Sequence, residues 1–307
     1  VYLSSVGVSI SKIAVVFFLV KLSEILAPIG QGVTVNRIGY KWSFIISLGL
    51  HSLLSCLYLL KPTFALIYLE RSVRGLIGMR LPSSLYVKHF SNKEEQRFHI
   101  NMMLGLADVA KGIGMVLGGV LIVVFAFESS MLVLGLLTAV TTILALRYLP
   151  DLKEEARTPV LKIWGTVDKK IKTLGVARSL LLGAWDGWGV VIFPVYLVSV
   201  FGLSPALVGT IMMGEHIFLG LCVTFLSKWV NPAWDPRKAL VGWGLFLLPI
   251  CYALSFTMPV YLFLSLVFLY QFFNGMCAVY YNHLHLEFAT AEKTSLDIAA
   301  YKTISNT

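Results

Sequence analysis

Nine apolar stretches follow one another along the chain with only short breaks between them, at residues 10–32, 42–60, 63–86, 100–127, 131–148, 179–200, 205–230, 239–256 and 259–283. Each is long enough to cross about 30 Å of hydrocarbon as a helix rising about 1.5 Å per residue. A tenth stretch opens at Leu296. Lipid offers no hydrogen bonds to the backbone, so a spanning segment must be a helix or part of a closed barrel. Barrel strands are about ten residues long and alternate in polarity. Runs such as GMVLGGVLIVVFAF (114–127) do not alternate, so the reading is an all-α, polytopic membrane protein. Composition agrees. The chain is 57% hydrophobic and 13% charged, with mean hydropathy +0.80. That is too little polar surface for a soluble fold of this size.

The net charge of +9 follows topology and does not mark a nucleic-acid partner. Breaks with Arg37 and Lys41, with Lys88, Lys93 and Arg97, the segment 147–178, the break with Lys228, Arg237 and Lys238, and the one with Lys293 form one set. They alternate with breaks holding only Lys61, only Glu128, or no charge. The positive-inside rule places the loops of Arg37 and Lys93 and the 150–178 linker in the cytoplasm; the plasma membrane is the expected location. Cys56, Cys222, Cys251 and Cys277 lie in apolar runs without metal or redox spacing and read as packing residues.

The polar stretch 150–178 separates an N-terminal bundle, 1–149, from a C-terminal bundle, 179–307. Within it Leu161, Trp164, Val167 and Ile171 recur at helical spacing opposite Lys162, Lys169, Lys170 and Lys172. This suits either an amphipathic helix lying on the cytoplasmic membrane surface or a solvated linker. The two sides are related in sequence. VYLSSVGVS (1–9) returns as VYLVSVFGLS (195–204), and a shift of 200 sets LERSVRGLIG (69–78) on LYQFFNGMCA (269–278). Gly75 then meets Gly275, Arg71 meets Gln271 and Arg74 meets Asn274. Two similar halves with the same charge topology are the mark of parallel repeats, as in secondary transporters.

Three motifs resemble those of the major facilitator superfamily. GVTVNRIGYKW is similar to that family's loop signature through Gly32, Asn36, Arg37, Gly39 and Lys41; Asn36 stands where Asp is usual, so it can hydrogen-bond but not form an ion pair. RSVRGLIG resembles the Arg-x-x-x-Gly signature of the fourth helix through Arg71 and Gly75. GIGMVLGG resembles the Gly-rich fifth-helix signature associated with antiporters, with Met115 in place of Pro; Gly114, Gly118 and Gly119 make a groove where another helix can approach. The resemblance covers essentially the whole chain. It implies a two-bundle fold with pseudo-two-fold related halves, and numbers the nine spans two to ten. The opening phrase then corresponds to the outer end of helix one, with helix one and most of eleven and twelve expected outside this sequence.

Ionisable groups inside the spans each cost at least about 2.5 kcal/mol on insertion scales, so they need a reason. Arg71, with Glu70 and Arg74 beside it, is a candidate for substrate or proton coupling; the alternative is a structural ion pair within one helix, Glu70 to Arg74 at i,i+4. Asp186, between Trp185 and Trp188, gives an acidic group with aromatic walls suited to an amphipathic or cationic solute. Glu215 and His216 are adjacent in mid-span and suited to carry a proton; because neighbours on a helix point about 100° apart, Glu215 is the choice for the cavity. Gln271 and Asn274 join the set as repeat partners of Arg71 and Arg74. Lys21 with Glu24, and Asp108 with Lys111, are read as internal pairs at i,i+3. His283, His285 and Glu287 point in three directions and are not read as a metal site.

The expected function is secondary active transport of a small organic solute, coupled to protons, by alternating access, with export by antiport preferred. Proton-coupled uptake of a sugar or organic anion is the alternative. A membrane enzyme is disfavoured because no nucleophile and base or metal cluster is suitably spaced, and a channel because the buried charges form no ring. The expected partners are the solute, protons and the bilayer. The chain is expected to act as a monomer without a cofactor.

Overall fold

The computed structural model describes residues 31, 34–35, 37–60, 69, 73, 80–152, 167–185, 189, 192–229, 234–289 and 294–305. Among them the regular structure is helical: α1 (Tyr40–Cys56, continued by a tighter turn Leu57–Leu60), α2 (Arg80–Phe90), α3 (Lys93–Tyr148), α4 (Lys169–Trp185), α5 (Phe193–Ser199), α6 (Pro205–Trp229), α7 (Pro236–Leu254), α8 (Val260–Phe288) and α9 (Thr294–Ser305). Five segments among the described residues are long and apolar enough to cross a membrane: 95–118 and 128–148 in α3, 206–228 in α6, 236–254 in α7, and α8. They fall on five of the nine expected runs.

The helix ends follow local chemistry. Gly39 precedes α1 at φ 86°, a conformation that side chains disfavour, and so serves as the turn the loop signature requires. Ser204 opens α6, its Oγ accepting from the Leu207 amide at 3.3 Å, and Pro205 fills the first helical position. Asp235 caps α7 in the same way, accepting from the Arg237 amide at 2.9 Å ahead of Pro236. Within the run 179–200 the described residues are helical up to Ser199: α4 reaches Trp185, Gly189 and Ile192 are in π-type turns, and α5 follows. One expectation shifts. α3 begins at Lys93, ahead of the apolar run, because KEEQRFH consists largely of good helix formers.

The chain clusters into two compact units. In the first (residues 1–86, 120–182 and 288–307), α1 packs on the 128–148 span, where Ser52 Oγ donates to the Gly135 carbonyl at 2.8 Å. The Tyr40 amide donates to the Leu152 carbonyl at 2.9 Å, and the Tyr86 hydroxyl to the Pro150 carbonyl at 2.9 Å, which ties the loop-signature turn to the start of the linker. α4 begins at an Asp168 cap, and its Gly175 meets α9 so closely that a Cβ there would lie 2.8 Å from Ile304 Cβ. Ile171 is fully buried and Val167 nearly so. Of the four apolar linker positions, Val167 and Ile171 are thus turned into the protein, while Leu161 and Trp164 lie outside the described residues.

In the second unit (87–119 and 183–287), α8 is central: half of its most apolar stretch is buried, against 11% for α7. Val223 and Leu226 of α6 pack with Met276, Val279 and Tyr280 of α8, flanked by Leu240 and Trp243 of α7. Phe193 and Leu197 of α5, Val208 of α6, and Phe263 and Val267 of α8 form a second cluster. Leu245, Leu248, Tyr252 and Tyr261 stay exposed, as lipid-facing side chains do.

Span 95–118 meets α6 through glycines other than those expected. A Cβ at Gly105 would lie 2.5 Å from the Gly220 carbonyl oxygen, and one at Gly112 would lie 2.8 Å from Ile217 Cγ1. At Gly114 and Gly118 a Cβ would meet nothing within 4 Å. We expect Gly114→Ala and Gly118→Ala to leave the melting temperature of the detergent-purified protein unchanged or slightly raised, since Ala favours a helix by up to about 1 kcal/mol. A marked loss in both would show that a partner occupies that face.

Candidate functional site

The site is assembled by α6 and α8, which approach where α8 carries a glycine. At Gly275 an added Cβ would lie 3.1 Å from Cys222 Cβ of α6. One residue before it is Asn274, and one turn earlier on the same face is Gln271. On α6, Gly214 precedes Glu215 and His216 and faces Phe268 of α8, with 3.8 Å from an added Cβ to Phe268 Cζ. Small residues beside the polar ones let two apolar helices bring amides and a carboxyl into contact.

Gln271 Nε2 donates to Glu215 Oε1, and Asn274 Nδ2 donates to Gln271 Oε1 at 3.1 Å. The chain of three is dry: Glu215 is 1% exposed, Gln271 0% and Asn274 7%. Glu215 Oε2 and His216 Nδ1, both buried, have no hydrogen-bond partner among the described residues. Lys111 of α3 lies within electrostatic range of both Glu215 and His216, and Tyr270 of α8 within range of Glu215. A carboxyl with one oxygen held and one open, in a dry interior, is suited to take and release a proton or to meet a donor on a solute.

Of the residues singled out in the sequence, the structure brings together Glu215, Gln271 and Asn274, with His216 buried alongside. Arg37 is exposed and Lys41 half-buried on either side of Gly39. Gly114, Gly118 and Gly119 lie on α3. Gly32, Asn36, Glu70, Arg71, Arg74, Gly75, Asp186 and Trp188, together with the Trp185 side chain, lie outside the described residues. So do Lys21 and Glu24. His283 Nε2 sits 3.7 Å from Glu287 Oε2, while His285 Nδ1 sits 3.1 Å from the Tyr281 carbonyl, so the two imidazoles serve different partners.

Sequence reading missed Asn101. It is fully buried on α3, donates to the Val279 carbonyl at 3.2 Å and accepts from Asn282 Nδ2 at 3.0 Å. A lone amide at the head of an apolar run was its only signal.

Comparison with known proteins fits this architecture. The family model of the Major Facilitator Superfamily matches residues 2–307. The mouse protein described as "MFS-type transporter SLC18B1" is 25% identical over 270 residues, which are 83% of this chain and 57% of that protein; the chain thus spans little more than half of that curated relative. Among solved structures, the human organic anion transporter MFSD10 (TETRAN) superposes with a TM-score of 0.79 at 14% identity, over 94% of this chain and 73% of that one. A bacterial homologue of the iron transporter ferroportin gives 0.71 at 17% identity, over 99% and 82%. A single-residue variant of the E. coli fucose:proton symporter FucP gives 0.72 at 15%, over 96% and 82%. At such identities these structures speak to the fold. The match over nearly the whole chain, with the helical membrane architecture, identifies this polytopic membrane protein as a member of the Major Facilitator Superfamily, whose members are transporters rather than enzymes.

Proposed function

We propose that the protein is a secondary active transporter of a small organic solute, coupled to protons, working by alternating access between the halves 1–149 and 179–307. One observation carries the coupling. Glu215 is buried in mid-span, held on one oxygen by Gln271 and open on the other. A fixed charge so placed is costly, so the site favours proton uptake or a compensating partner as the environment changes. From their place in the sequence, Arg71 and Asp186, with Trp185 and Trp188, stay candidates for contact with the solute or the proton. Export by antiport remains the preferred direction, resting on the likeness of GIGMVLGG to the antiporter signature. The proposal includes a monomer in the plasma membrane with the linker in the cytoplasm.

The test uses the full-length gene product in vesicles with trapped pyranine. Organic cations, organic anions and neutral sugars are added singly, and lumenal pH is followed. A saturable, solute-driven pH change supports coupling, and its sign separates antiport from symport. Downhill, non-saturating flux without a pH change for every class would sink the reading.

Gln271 adds a second test. Gln271→Leu removes the donor from a buried carboxyl oxygen, a loss worth about 1–3 kcal/mol for an unsatisfied group. We expect coupled flux to fall roughly ten-fold, at about 1.4 kcal/mol per decade, with Gln271→Glu failing to restore it because a second carboxyl would face Glu215. Wild-type flux in Gln271→Leu would remove Gln271 from the site.

A further inference from the structure

Between α3 and α6 two groups of opposite charge stand near one another without bonding. Gly112 of α3 lies against α6, where an added Cβ would be 3.1 Å from the Met213 carbonyl oxygen and 2.8 Å from Ile217 Cγ1. Those two positions bracket Glu215, so Lys111, next to Gly112, stands at the level of that carboxyl. Lys111 acts electrostatically on both Glu215 and His216. It closes on neither Glu215 Oε2 nor His216 Nδ1, which have no hydrogen-bond partner among the described residues. Asp108 stands one turn back on α3, beside Val109, which meets Gly220 farther along α6.

A cation and a carboxylate held apart in a poorly screened interior each call for a partner of opposite sign. The other oxygen of Glu215 is already taken by Gln271. A purely cationic solute on Oε2 would lie uncompensated in the field of Lys111, and a purely anionic one on Lys111 would face Glu215. A solute with both charges on one short skeleton answers both groups. Its ammonium donates to Oε2, its carboxylate accepts from Lys111, and the four charges together are neutral. Lys111 is exposed and ends a flexible stem, so it is the first of the two that a solute meets.

We infer that the solute is a small zwitterion, an amino acid or a compound of the same charge pattern, held between Lys111 and Glu215. The inference rests on the transport reading above and names the solute class for it, with Lys111 as the residue that sets specificity. The solute's ammonium and a proton compete for the same oxygen, so each excludes the other, which is the condition for exchange. A proton exchanged for a zwitterion moves net charge across the membrane and responds to its potential. A proton exchanged for a monovalent cation does not.

The test takes the full-length protein in pyranine-loaded vesicles, with the signal of protein-free vesicles subtracted. Amino acids with uncharged side chains are compared singly with their methyl esters, which are cations, and their N-acetyl derivatives, which are anions. At least one amino acid should drive a saturable pH change, with its ester and its acetyl derivative at least about ten-fold less effective, the scale of one uncompensated charge in a poorly screened site. Setting the potential with potassium and valinomycin should change the rate. Lys111→Gln should erase most of the preference for amino acid over ester, and Asp108→Asn should keep it. Should Lys111→Gln fail to fold, the solute series and the potential dependence of the wild type decide alone. A response confined to cations, anions or sugars, or a preference unchanged in Lys111→Gln or lost equally in Asp108→Asn, overturns the inference and leaves the transport reading standing. Thermal stabilisation of the purified protein by an amino acid, lost in Lys111→Gln and without any pH change in vesicles, would sink proton coupling and keep the solute class. Neither stabilisation nor flux with any amino acid overturns the inference.

Discussion

Replacing Glu215 by Gln is expected to reduce pH-driven solute accumulation to passive equilibration while the protein still folds. Gln matches Glu in size and can keep a hydrogen bond to Gln271, so the α6–α8 contact retains its partners. It cannot bind and release a proton. With one proton moved per solute and no membrane potential, a pH difference of one unit supports about a ten-fold solute gradient, because one unit is worth about 1.4 kcal/mol. The wild type should approach that ratio and Glu215→Gln should stay near unity. Downhill exchange should survive, since the carboxamide removes a proton carrier and not the route. The measurements are steady-state accumulation in vesicles at fixed pH difference, and counterflow at equal pH. If Glu215→Gln accumulates solute as the wild type does, coupling resides elsewhere, and Asp186→Asn becomes the next variant to test.

Much of the architecture is legible in the sequence because lipid imposes one rule, namely that apolar runs of sufficient length become helices. Span positions in α3, α6, α7 and α8 follow directly. Their ends do not, because polar residues beyond an apolar run can continue a helix, as at Lys93 to His99 and in the last turns of α8. Glu215 stands out in sequence as a carboxyl inside an apolar run. Gln271 and Asn274 are unremarkable amides until the repeat aligns them with Arg71 and Arg74. That Glu215 meets Gln271, itself one helical turn from Asn274, is a tertiary fact which no spacing encodes. The glycines show the same limit. Gly-x-x-x-Gly at 114 and 118 defines a bare helix face, yet nothing in the spacing says which face a neighbour will use, and α6 sits against Gly105 and Gly112. Likewise the apolar positions Val167 and Ile171 announce a buried face but not whether lipid or protein covers it. Protein does.

The approach of α3 to α6 gives the second large effect. A Cβ at Gly220 would collide with the Gly105 carbonyl oxygen and lie 2.8 Å from both Val109 Cγ2 and the Val109 amide nitrogen. A Cβ at Gly105 would in turn collide with Thr224 Oγ1 and lie 2.5 Å from the Gly220 carbonyl. These obstacles are largely backbone, which cannot turn away as a side-chain end can, so the helices must separate. At Gly112 the nearest atom is a side-chain carbon, Ile217 Cγ1 at 2.8 Å, and the nearest backbone atom, the Met213 carbonyl oxygen, stands off at 3.1 Å. The expected order of damage is therefore Gly220→Val and Gly105→Val, then Gly112→Ala, then Gly114→Ala with none. Overpacking commonly costs about 1–3 kcal/mol and more where backbone is struck, a large share of a stability that is typically about 5–15 kcal/mol. Gly220→Val should lose most of its monodisperse yield in fluorescence-detected size exclusion, and the remainder should melt well below the wild type. Coupled flux should fall further than yield, because Gly220 lies little more than one turn from Glu215 on the same helix, and spreading α6 from α3 moves the carboxyl away from Lys111. A Gly220→Val protein with wild-type yield, melting and flux would mean that the two helices are not in contact at this level in the membrane.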